Sequence, residues 1–84
     1  MTRTICGTVW ASDRDRSARA ARLQSIRARL RRLATDCIDV VDYHVAPSAE
    51  NDTRFDWRLI VAADSDVAAR SIARGLVLRA EGTP

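Results

Sequence analysis

The chain has 84 residues, 46% apolar and 30% charged, a composition too hydrophobic for a disordered tail and too charged for a membrane span. That length supports one core, so a single domain over residues 1–84 is expected, with 81–84 as a flexible tail. No apolar run approaches the roughly 18 to 20 residues that cross a bilayer. The segment Met1–Ile5 also lacks the apolar stretch of a signal peptide, so a cytoplasmic location without a membrane partner is expected.

All 14 basic residues are Arg, the codon signature of a high-GC genome such as that of an actinobacterium or its phage. The charge is polarised along the chain: residues 14–34 hold eight Arg against Asp15 alone, while the remainder carries six Arg against ten acids. Cys6 and Cys37 are too few and too distant for a CxxC redox or zinc motif, and they read as buried structural thiols.

In chain order, Thr4–Trp10 alternates and is rich in β-branched residues, which predicts a first strand. Ser12 is the expected cap of a helix over about 13–35, with Asp13 and Asp15 in its first turn, where the helix dipole favours negative charge. Leu23, Ile26, Leu30 and Leu33, with Ala34 and Cys37 on the same arc, give that helix one apolar stripe. Cys37–Val45 reads as a second strand ended by Pro47 and a polar loop, and Arg54–Ala62 as a third with the clearest alternation in the chain.

Val41, Tyr43, Val45, Phe55, Trp57, Leu59 and Val61 are expected to point inward, leaving Asp42, His44, Asp56 and Arg58 on a wet face. Pairing Val45 with Phe55 sets His44 against Asp56 and Asp42 against Arg58, and avoids two facing carboxylates. A second capping cluster, Asp64, Ser65 and Asp66, precedes an apolar stripe of Ala68, Ala69, Ile72 and Leu76. This predicts a second helix from about residue 65 to Ala80; the alternative is a stop at Gly75 and a fourth strand over 76–80.

Together the elements predict a two-layer β-α-β-β-α sandwich, with a three-stranded sheet in the order 1-3-2 and both helices on one face. The fourth-strand alternative would complete a ferredoxin-like β-α-β-β-α-β domain. In the 1-3-2 order strand one is an edge without the Lys or Pro that usually protects one.

The chemistry-bearing residues are sparse. His44 is the only histidine, the acids are scattered, and the three glycines stand apart at 7, 75 and 82, so no phosphate loop is present. An enzyme built on His44 with Asp56 or Cys6 is the least favoured reading, and no cofactor, metal or small-molecule ligand is expected. The favoured reading is a non-catalytic interaction or regulatory module. It would homodimerise or bind another protein through the open edge, with Thr8, Trp10, Val77 and Leu78 as contacts, and it could be a phage-encoded modulator of a host protein. The other reading is nucleic-acid binding by the Arg-rich helix. Arg22, Arg29 and Arg32 lie on one flank of its stripe and Arg16, Arg27 and Arg31 on the other, with Arg22, Arg27, Arg29, Arg31 and Arg32 as contacts. Against it stand the ordinary uses of Arg: covering apolar surface with its methylenes and pairing with the acids of the same chain.

Overall fold

The computed structural model describes residues 1–45 and 53–82. It contains β1 (Thr2–Trp10), α1 (Arg16–Asp36), β2 (Val40–Val45), β3 (Arg54–Ala62) and α2 (Asp66–Ala80). The three strands form one antiparallel sheet in the order β1-β3-β2, and the helices pack over it as the second layer of an α+β sandwich. The fourth strand does not form, because α2 continues through residues 76–80 and buries Leu76 and Ala80.

β3 is central, bonded to β1 on one side and β2 on the other, and its alternation is complete. Phe55, Trp57, Leu59 and Val61 are buried while Arg54, Asp56, Arg58 and Ala62 face solvent. β1 lies along its whole length in continuous register, from Thr2 opposite Ala62 to Trp10 opposite Arg54. From the helices, Leu23, Ile26, Leu30 and Ala34 of α1 and Ala69, Ala73, Leu76 and Ala80 of α2 close the core. Leu33 and Cys37 pack at its margin.

Three local expectations are corrected. α1 begins at Arg16, capped by Asp15, whose Oδ1 accepts the Ser17 N–H at 3.1 Å. Ser12 and Asp13 lie before it: the Ala11 N–H extends the sheet by bonding the Thr53 carbonyl, and Asp13 is held by Arg22. Residues 37–39 form a turn rather than strand, since Cys37 caps α1 and the Val40 N–H closes on the Cys37 carbonyl at 3.1 Å.

The β2/β3 register is also displaced by two residues, so that Val45 faces Trp57 and His44 faces Arg58. A two-residue shift keeps every side chain on its face, so sidedness alone could not choose. The far end chooses: the Ala62 N–H bonds the Asp39 carbonyl at 2.8 Å and Val40 sits opposite Val61. A bulge between Val40 and Asp42 then turns Val41 out, 62% exposed, and makes Val40 the packed residue. Tyr43 stays on the helix side, where its hydroxyl lies 2.9 Å from Thr35 Oγ1.

Gly7 sits in the middle of β1 for a steric reason. A Cβ there would overlap the Trp57 indole, which the core holds at 9% exposure. Gly7→Ala should therefore cost about 1–3 kcal/mol as an overpacking change. In urea unfolding the cost should shrink markedly in a Trp57→Leu background, and equal costs in both backgrounds would contradict the contact.

Candidate functional site

A three-stranded sheet has two edges, and here they differ. In antiparallel pairing the residues of a strand point their N–H and C=O groups alternately toward one neighbour and the other. At the two ends of the β1/β3 ladder, the Ala63 N–H bonds the Met1 carbonyl and the Ala11 N–H bonds the Thr53 carbonyl. With the register unbroken between them, the odd residues of β1 bond β3. Thr2, Thr4, Cys6, Thr8 and Trp10 therefore turn their backbone groups to the free edge.

The same parity puts the even residues of β3 against β2, as the Ala62–Asp39 bond shows, and turns Tyr43 and Val45 to the outer edge of β2. That edge is guarded. Asp42 Oδ1 accepts the Tyr43 N–H at 2.8 Å, the Arg31 guanidinium donates to the Val45 carbonyl at 3.2 Å, and the bulge interrupts the strand. A short, bulged strand with charged side chains folded over its backbone is a poor template for another chain. β1 is longer, flat in register and carries no charged side chain at its edge-facing positions.

Beside the β1 edge an open groove of about 540 Å³ runs between the strand and α2. Thr4, Ile5 and Cys6 form one wall, Val77 and Leu78 the other, with Trp57 between them and Arg70, Arg74 and Glu81 along the rim. Trp57 Nε1 is buried and has no hydrogen-bond acceptor among the described residues. Val77 is half-buried against the core and Leu78 is 45% exposed, so of these two expected contacts Leu78 is the one left open.

The other expected contacts lie on the outer sheet face. Thr8 Oγ1 donates to Asp56 Oδ1 at 2.8 Å, and Trp10 is 61% exposed with the Arg54 guanidinium 5.2 Å from its ring centroid. Trp10 and Leu78 thus flank the edge from its two faces rather than forming one patch.

Cys6 is exposed rather than a buried structural thiol. Across the sheet Cys6, Arg58 and His44 stand in one row, so Arg58 lies between thiol and imidazole. Asp56 is bonded by Thr8 and does not orient His44, and the expected cross-strand pair is absent. Among the described residues no group of three or more His, Cys, Asp or Glu side chains converges on a metal position.

The Arg-rich helix is partly consumed within the chain. Arg22 holds Asp13 at 2.7 and 3.1 Å, Arg19 donates to the Asp13 and Arg14 carbonyls, and Arg31 guards β2. Arg27 is half-buried, with its Nε enclosed. Arg29 lies beside Gly82, and it and Arg32 are exposed with no ion pair among the described residues. No described helix is long and apolar enough to cross a membrane. No family model, curated protein or solved structure matches this chain.

The hydrogen bond from Arg22 holds the Asp13 carboxyl below the usual carboxylate range. A depressed folded value stabilises the fold above the ordinary carboxylate range, and that contribution is lost as pH falls through the folded value. In an NMR pH titration Asp13 should have a midpoint below that of an unperturbed aspartate and move back up in Arg22→Gln. An unchanged midpoint in the variant would show that the pair does not persist in solution.

Proposed function

We propose that this chain is a non-catalytic protein-interaction module that acts by strand addition at the free edge of β1. The supporting observation is the contrast between the two edges. The outward backbone groups of β2 are bonded by side chains of Asp42 and of Arg31 from α1, whereas β1 leaves five outward residues unpaired among the described residues. Main-chain bonds at such an edge supply affinity, and pockets beside it supply side-chain preference. The groove lined by Ile5, Val77 and Leu78 is a pocket of that kind.

A second reading, nucleic-acid binding by α1, draws support from exposed Arg29 and Arg32. It is weaker because Arg22 and Arg31 are engaged elsewhere. Its signature would be binding that falls steeply with salt and with Arg29→Gln/Arg32→Gln.

Adjacent prolines separate the edge from the fold. Thr4→Pro removes an N–H that faces outward and should keep wild-type circular dichroism, since edge positions tolerate Pro where the donor faces solvent. Ile5→Pro removes a ladder donor to β3 and should unfold the sheet. With each lost hydrogen bond worth on the order of 1 kcal/mol, association with displayed extended peptides or with further copies of the chain should weaken at least about fivefold in Thr4→Pro. Association that survives Thr4→Pro, or a wild type with no protein or peptide partner, would overturn the reading.

A further inference from the structure

We propose that the occupant of the β1 edge is a second copy of the chain, paired β1 to β1 about a two-fold axis at Cys6. This rests on the reading of β1 as the working edge and names its partner.

The first support is register. β1 has nine residues, Thr2–Trp10, with Cys6 at the midpoint. In an isologous contact one patch meets itself. Antiparallel pairing that uses all nine residues sets Thr2 against the partner's Trp10, Thr4 against its Thr8, and Cys6 against its own copy. Every outward-facing residue then meets an outward-facing residue, so the unpaired N–H and C=O groups of both chains align. Registers shifted by two residues also match this parity but leave residues unpaired at both ends. On the outer face the paired side chains are Thr, Cys and Trp, and on the helix face Arg3 meets the partner's Val9 and Ile5 the partner's Gly7, so no like charges oppose across the new ladder.

The second support is charge. α2 begins at the N-terminal end of β1, where Arg3 bonds Asp66 at 3.0 Å, and returns over the sheet in the direction of β1. Arg70, Arg74, Leu78 and Glu81 follow one another on its groove side, cationic toward the helix start and anionic at its end. A two-fold axis reverses the second helix and brings the Arg70 end of one copy beside the Glu81 end of the other. An acidic extended peptide would satisfy the arginines but meet Glu81 unfavourably. A second copy complements both ends and brings Leu78 of each chain over the groove. The product is a continuous six-stranded sheet with the four helices on one face.

Cys6 reports the axis. Directly opposed residues of the hydrogen-bonded type have Cα atoms about 5.5 Å apart, inside the span of roughly 4.4–6.8 Å that a disulfide accepts. The test uses the full chain carrying Cys37→Ser. Light scattering should give twice the chain mass at low and high salt, and diamide, reduced as it oxidises the two thiols, should join Cys6 to its copy in a dimer that survives a denaturing gel and that dithiothreitol returns to single chains there. In a Cys6→Ser/Cys37→Ser background, Thr4→Cys and Thr8→Cys chains should cross-link when mixed and not singly. A dimer that cross-links at neither position overturns the proposed axis. A monomer that binds displayed peptides in a manner abolished by Thr4→Pro overturns the second-copy proposal and leaves strand addition standing. A monomer that binds none removes both.

Discussion

An antiparallel strand directs its backbone groups alternately to its two sides, and the rest of this structure depends on how that alternation is resolved at β3. Both sides of β3 are bonded, one to β1 along nine residues and the other to the shorter β2. Its inward side chains, Phe55, Trp57, Leu59 and Val61, then define the floor of the core. The helices need only supply matching apolar faces. The same rule decides which backbone groups are left over, and it turns five residues of β1 away from β3, with no strand beside them among the described residues.

The two helices complete the core differently. α1 brings Leu23, Ile26 and Leu30, while three of the four buried residues of α2 are alanines, which let it approach closely but fill little space. Of its larger side chains, Leu76 is buried, while Val77 and Leu78 stand toward β1 and border a groove rather than filling it. Trp57 reaches the same region, where only glycine at position 7 leaves room for its ring. The groove lies where the described residues of α2 bring few large side chains to the core, and it borders the edge at which β1 has no second neighbour among the described residues.

Much of this was legible in the residues. The strict alternation of Arg54–Ala62 located β3 with its ends, the 3–4 spacing of Leu23, Ile26 and Leu30 located the buried stripe of α1, and the cap at Ser65 located the start of α2. The strand order followed from the apolar content of β3, and with it the exposure of the β1 edge. What was not legible depended on distant partners. Ser12 and Asp15 are comparable caps in isolation, and the choice between them was made by Thr53 and Arg22, which hold Ala11 and Asp13 outside the helix. The hairpin register was misread: a two-residue shift preserves every face, and the charge pairing that favoured Val45 opposite Phe55 did not decide it, since Val45 stands opposite Trp57. The guarding of β2 by Asp42 and Arg31 depends on where those side chains fold, one of them from α1, so the contrast between the edges could not be read from composition.

The account is tested most directly by amide hydrogen exchange along β1 as a function of protein concentration. The odd amides, Arg3, Ile5, Gly7 and Val9, should be protected throughout because they bond β3. Those of Thr4, Cys6 and Thr8 should exchange freely in dilute solution and gain protection together as copies associate. Even-numbered amides that exchange freely at every concentration, or that are already protected in the monomer, would contradict the claim that this edge is open and pairs with its own copy.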